Sequence, residues 1–362
     1  MKVQRVRIPD GDRVTWLVLD DNYLSIPPIQ SYLQYLESIE RSPNTIHAYA
    51  GHLKLFWEFL RDSKADWKNI SFSMLADFIH WLRSPNPRVT SIQSQEAKRT
   101  ERTVNTILSA ICSFYDFHYR MGNVEELKVH GQQFPLESRS YKPFLYHIIK
   151  GKPIKKSLLK LKEPRQLPET LTIEQVKQLI SACKRIRDKF LISLLYESGM
   201  RIGQVLGLRH CDIHSWDNEI QIIPRTDNPN GVRAKSKDAY MVHVSKDLMA
   251  LYSDYLINEY LEDLESDYVF VNIWEGQTGN PLTYSSVVAL FRRLEKKTGI
   301  KAHPHLFRHT HATQLIRQGW DMAHVQKRLG HASVQTTIDT YTHLTDNDLK
   351  EAYQAYLQQR EK

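Results

Sequence analysis

Six residues in the second half of this chain have the side-chain types needed to break a phosphodiester without metal or water: Arg201, Lys235, His305, Arg308, His331 and Tyr341. Phosphoryl transfer asks mainly for positioning and for stabilisation of charge on the equatorial oxygens. A planar guanidinium does both, donating two parallel hydrogen bonds without losing its charge. A tyrosine can attack phosphorus if bases or cations offset its high free pKa, and a lysine whose pKa is lowered by neighbouring arginines can protonate a leaving oxygen. His305 and His331 can accept a proton or hydrogen-bond the transition state. Each residue type has an ordinary reading too. Isolated arginines are mostly solvated, and any one of 18 tyrosines is far more often core or surface than nucleophile. Lys235 has a neighbour, Lys237, that chemistry alone does not separate from it.

These residues must be positioned by local structure that the pattern already suggests. Ser198-Gly199-Met200 precedes Arg201, and a helix-ending glycine there would aim the arginine into a cleft. His305 and Arg308 are three apart in a helical stretch and share a face. Residues 219–224 and 240–244 are rich in strand formers and flank the loop carrying Lys235. His305, His309 and His311 invite a zinc reading, but neither an HExxH pattern nor a cysteine pair accompanies them.

Outside this region the chain divides by composition and period. Residues 1–24 read as a small hairpin around Asp10-Gly11-Asp12, with a strand-forming run at 14–19. Residues 25–121 carry four amphipathic helices. The first has Ile29, Tyr32, Leu33, Leu36 and Ile39 on one face, and the second starts at Ser42-Pro43, a cap followed by a first-turn proline. The third covers about 72–83 and the fourth runs from about 100 to Gly122. Residues 122–167 form a basic linker, with seven basic residues against one acid between Lys150 and Arg165. It reads either as a solvated connection or as a strap along a phosphate backbone. A second domain follows over 168–345, with Thr172 as an N-cap at its start. Residues 346–362 form a terminal helix with Leu349, Ala352, Tyr353, Tyr356 and Leu357 on one stripe.

A length of 362 residues suits two domains, and 41% hydrophobic with 25% charged residues suits a globular protein. The net charge of +8 favours a polyanionic partner. Three scattered cysteines argue against a disulfide framework and suit a reducing cytoplasm. No apolar run is long enough to predict a membrane span.

The motifs have a family likeness. ESGMRIGQVLGLRHCDI (197–213), RAKSKDAYMVHV (233–244), HPHLFRHTHAT (303–313) and LGHASVQTTIDTYTHL (329–344) resemble the catalytic boxes of tyrosine recombinases, the phage integrase family. The likeness covers the chain from about 168 onward; the RSPNTIHAY stretch resembles that family's core-binding domain less specifically. Length and N-terminal stretch are most like the transposon-encoded recombinases called transposase A. The resemblance implies a mainly helical fold with a small β component: a SAM-like helical DNA-clamp domain and a mixed α/β catalytic domain. It selects Lys235 over Lys237 and implies clamp arginines 201 and 308, assisting His305 and His331, and the nucleophile Tyr341.

The implied function is site-specific recombination of double-stranded DNA through a 3′-phosphotyrosyl intermediate, in transposition or in integration and excision. No cofactor, ATP or metal is implied. A tetrameric synapse, the terminal helix exchanged between protomers, accessory recombinase proteins and a cytoplasmic, nucleoid-associated location complete the expectation. The rival is a DNA-binding accessory protein that does not cleave. One residue departs from the family pattern: Gln204 stands where an acid is usual, able to hydrogen-bond but not to neutralise a cation.

Overall fold

A computed structural model describes residues 1–7, 14–84, 97–127, 130–133, 154–157, 159–164, 169–225, 227–233, 238–260, 264, 266–274 and 277–330. The chain forms two compact units, Met1–Arg165 and Gln166–Lys362.

The first unit opens with strands β1 (Lys2–Arg7) and β2 (Val14–Leu19), paired antiparallel with Arg5 opposite Trp16. This hairpin is not independent. Val18 is buried in the helical core and the Trp16 ring stacks on His47, centroids 3.8 Å apart. Helices α1 (Pro27–Ser38), α2 (Pro43–Asp62), α3 (Phe72–Arg83) and α4 (Glu101–Arg120) follow. Ser42 caps α2 by accepting from the Thr45 N–H, with Pro43 in the first turn. Ile39 departs from the expected inward stripe. Helix α1 ends at Ser38, Glu40 has positive φ, and Ile39 is left 43% exposed.

Phe114 on α4 centres the first core, edge-on to Tyr32 at 5.6 Å and to Trp57 at 5.4 Å. Beside it His118 is held neutral by burial, its Nε2 bonded to the Pro28 carbonyl and its Nδ1 to Asn123. The basic stretch has more structure than the sequence suggests. Strands β3 (His130–Gln133) and β4 (Ile154–Ser157) pair antiparallel. Leu159 and Leu161 then pack on the first core, and Asn105 of α4 exchanges hydrogen bonds with the Leu161 backbone.

In the second unit, α5 (Ile173–Ala182) starts with the expected Thr172 cap, its capping box closed by Gln175. Next comes α6 (Ile186–Ser198), in which Phe190, Leu191, Ile192, Leu194 and Leu195 are all buried. Burial on every side makes α6 the central helix of this unit. The four-residue α7 (Ile202–Val205) and a 3₁₀ turn at His210–Asp212 lead to a sheet of β5 (Ile213–His214), β6 (Glu219–Ile222) and β7 (Tyr240–His243), antiparallel in that order. The strands expected beside Lys235 are therefore β6 and β7. Helices α8 (Lys246–Asn258), α9 (Tyr284–Thr298), α10 (Pro304–Arg317) and α11 (Met322–Leu329) complete the described part. The 346–362 helix, like residues 234–237, lies outside the described residues. No described helix is long and apolar enough to cross a membrane.

Because Phe114 is fully buried at the centre of an aromatic cluster, Phe114→Ala is expected to cost about 3–5 kcal/mol. Urea unfolding followed by tryptophan fluorescence should show the loss in the transition of the first unit, since Trp57 and Trp67 line that core.

Candidate active site

Three guanidinium groups gather where α6 and α11 end. Helix α6 closes on Gly199 in the left-handed conformation (φ 64°). A Cβ there would stand 2.7 Å from His311 and 2.9 Å from Leu329, so space and backbone both demand glycine. Helix α11 closes on Gly330, also left-handed (φ 61°), where a Cβ would come within 2.7 Å of the Tyr240 ring.

Arg308, on α10, crosses between these ends. Its Nη1 donates to the Gly199 carbonyl and its Nη2 to the Leu329 carbonyl, each at 2.9 Å, and the residue is only 2% exposed. Arg201, at the N-cap of α7, donates from Nη1 to the Gly330 carbonyl at 3.3 Å. Arg328 donates from Nε to His311 Nε2, and from Nη2 to the carbonyls of Glu197 and His243, all at 3.0 Å. Most of these acceptors are carbonyls at helix C-termini, where the backbone carries partial negative charge. Such acceptors let a cation be buried.

The histidines of α10 divide in function. His303 is its N-cap, Nδ1 accepting from the Leu306 N–H. His305 keeps an exposed edge, yet its surroundings push its pKa down to about 4. Desolvation by neighbouring groups is the main cause, followed by His309, Arg308, His303 and Arg201. Its ring meets His309 edge-on at 4.3 Å. His311 is buried and pushed down to about 3, first by burial and then by Arg328. Among the described residues no three His, Cys, Asp or Glu side chains are grouped to hold a metal ion.

The structure thus brings Arg201 and Arg308 to adjacent carbonyls, with His305 one helical turn before Arg308. Lys235, His331 and Tyr341 lie outside the described residues; Arg233 and Gly330 are the nearest described positions before the first two. The sequence reading missed Arg328 and Tyr240. The signal for Arg328 was its place at the end of an amphipathic helix, which reads equally well as a solvated face. Gln204 is 4% exposed and bonds in two directions. Its Oε1 accepts from the Arg201 backbone N–H at 2.9 Å, and its Nε2 donates to the Tyr240 hydroxyl at 3.1 Å.

Residues 169–348 match the phage integrase family, and residues 29–122 match the phage integrase N-terminal SAM-like domain. Across its whole length the chain is 48% identical to transposase A from transposon Tn554 of Staphylococcus aureus, covering 99% of that protein. The chain belongs to the phage integrase family. It is a tyrosine recombinase, an enzyme that recombines DNA. Tyrosine recombinase XerC of Oceanobacillus iheyensis is 30% identical over 90% of this chain and 94% of its own. In fold, the recombinase is similar to the Tn1549 transposon integrase solved with a circular intermediate DNA. The TM-score is 0.63 at 15% identity, over 91% of this chain and 99% of that one.

The buried histidine has a consequence for stability. Unfolded, His311 takes up a proton below about pH 6.5; folded, it resists until about pH 3. Its contribution is therefore complete above pH 6.5 and is lost as the pH falls through that window. Between pH 7.5 and 5 the loss is expected to be about 1–2 kcal/mol. His311→Gln, which keeps an acceptor for Arg328 but does not titrate, should flatten that part of the urea stability–pH curve.

Proposed function

We propose that Arg201 and Arg308 hold the scissile phosphate while Tyr341 attacks phosphorus, with His305 and His331 hydrogen-bonding the transition state and taking up the phenol proton. The Tyr341 oxygen–phosphorus bond forms as the bond to the 5′ oxygen breaks. Lys235 protonates that oxygen, leaving a 3′-phosphotyrosyl link and a free 5′ hydroxyl. A 5′ hydroxyl from a partner strand reverses the step. The two exchanges are close to isoenergetic, so they ask for no ATP.

The observation that carries this reading is the convergence of two guanidiniums on neighbouring carbonyls, Leu329 and Gly330. Chain connectivity supports the assignments of Lys235 and His331. Two residues span at most about 7 Å, so a side chain at 235 starts within that distance of Arg233. His331 follows Gly330 directly.

The two units match the family's SAM-like and catalytic parts, and we read them as a clamp on duplex DNA, with the basic stretch before 167 passing over phosphates. Likeness to transposase A favours transposition as the biological setting. Four protomers on two duplexes, joined through residues 346–362, are the assembly expected, with accessory recombinases as further partners and the nucleoid as the place of action.

Two experiments test the chemistry. With chelator present, nicked duplexes spanning the ends and circular junction of the chain's own genetic element should give a denaturation-resistant adduct with the parent protein. Tyr341→Phe should bind the same DNA and give none. An adduct that persists in that variant would remove Tyr341 as nucleophile, and DNA binding without any adduct from the parent would favour the non-cleaving accessory role.

The second experiment addresses the acid. Lys235→Ala should slow cleavage about 100- to 10,000-fold, the usual worth of a general acid. Replacing the bridging 5′ oxygen by sulfur, whose thiolate leaves without a proton, should restore the rate. Arg308→Lys, which loses the fork rather than the acid, should stay slow on both substrates. A Lys235→Ala defect that sulfur does not relieve would take the acid role from this residue.

A further inference from the structure

Residues 234–237 join Arg233 to Asp238, and the described residues on both sides of this short connection rest on one four-residue helix. On the approach, Asn228 Nδ2 donates to the Val232 carbonyl at 2.9 Å, and Asn230 Nδ2 to the Leu206 carbonyl at 3.1 Å. Arg233 then lies against α7 so closely that a Cβ on Gly203 would stand 2.8 Å from its carbonyl oxygen. On the return, Tyr240 opens β7, and its hydroxyl accepts from Gln204, the residue after Gly203. The same Gln204 holds the Arg201 backbone N–H. The Tyr240 ring also fills the space that a side chain at 330 would need, next to the carbonyl that takes Arg201.

We propose that Gln204 and Tyr240 are positioning residues for the loop of Lys235, a neutral brace fixing its return to the turn that presents Arg201. An amide can serve both ends at once. Its oxygen takes the Arg201 N–H while its nitrogen gives a hydrogen to the phenol, a bond that a carboxylate at 204 could make only by accepting from the phenol instead. The brace therefore links phosphate-holding and proton-donating parts of the site without bringing a negative charge beside Arg201. The path from the Arg201 backbone to the start of β7 is two side chains long, Gln204 and Tyr240. Loss of either partner leaves the Arg201 hydrogen bond to the Gly330 carbonyl in place but frees the loop at β7.

The inference rests on Lys235 being the general acid, and the test separates the two. Tyr240→Phe and Gln204→Leu would be compared with Lys235→Ala in the full-length protein. Each would be given nicked duplexes from the element's junction, with oxygen or sulfur at the 5′ bridging position. The quantity read is the ratio of sulfur to oxygen cleavage rates within one preparation. A loss of folded protein cancels in it. Both brace variants should slow cleavage of the oxygen substrate about 10- to 100-fold, a part of the full worth of a general acid. Their ratio should rise by the same factor, toward that of Lys235→Ala.

A Lys235→Ala ratio that stays at the parent value would overturn the acid reading, and the inference with it. A raised ratio for Lys235→Ala beside unchanged ratios for Tyr240→Phe and Gln204→Leu would overturn the brace alone. That second result would leave the pair as ordinary packing under Arg201. Equal slowing of the brace variants on both substrates would leave the same unchanged ratio and likewise overturn the brace.

Discussion

A buried guanidinium strung between two helix ends is the constraint from which the rest of the catalytic unit follows. Arg308 has almost no contact with solvent, and it donates to the carbonyls of Gly199 and Leu329. Burying a charge is costly unless hydrogen bonds and opposing charge replace water. Helix C-termini offer both, because their last carbonyls lack intrahelical partners and carry the negative end of the helix dipole. The arrangement forces several other residues. Gly199 and Gly330 must both turn left-handed to end their helices in place, and neither has room for a Cβ. Arg328 then binds the Glu197 carbonyl near that end of α6, so the two helix termini are stitched by guanidiniums from both directions.

Holding cations with helix-end carbonyls has an electrostatic result. Those carbonyls supply only partial charges, so the cluster stays net positive and suits an anion as ligand. That field also adds to the lowering of the pKa of its histidines. Desolvation is the first cause that lowers the pKa of both His305 and His311. His309 and then Arg308 add to it at His305, and Arg328 at His311, so both are neutral at physiological pH. A neutral imidazole beside fixed cations can accept a proton, which an imidazolium cannot. Gln204 fits the same logic. Burial raises the Tyr240 phenol while the Gln204 bond and the two arginines oppose it, leaving an uncharged pair inside a cationic cluster.

How much of this was legible in sequence depended on whether a residue acts through its neighbours in the chain or across the fold. Gly199 was readable as a helix stop because an αL position after an apolar run favours glycine. His305 and Arg308 were readable as one face of a helix by spacing alone. Strands β6 and β7 were visible from composition. Arg328 was not, since its three acceptors lie on α6, β7 and α10, and nothing in MAHVQKRL distinguishes it from Lys327 beside it. Tyr240 was legible only as a strand former, because its bond to Gln204 spans 36 residues. Ile39 failed for the opposite reason. The 3.6-residue period was extrapolated one position past the end of α1, where the backbone turns it outward.

The basic stretch shows the same limit from the side of charge. Its composition alone fitted a solvated connection and a phosphate-facing strap equally well. Asn105 adds what composition does not show, an anchor on the first unit. By giving its amide hydrogens to the Leu161 carbonyl and the Glu163 carboxylate while taking the Leu161 N–H, one side chain imitates the paired backbone of a neighbouring strand. Leu159 and Leu161 add apolar anchoring on the same core, while Lys160 and Lys162 between and beside them remain exposed. Ordering such a segment costs conformational entropy whenever it happens. Here that cost falls on the folding of the first unit. The backbone that carries Lys160 and Lys162 is thus held by the first core while their side chains stay in solvent.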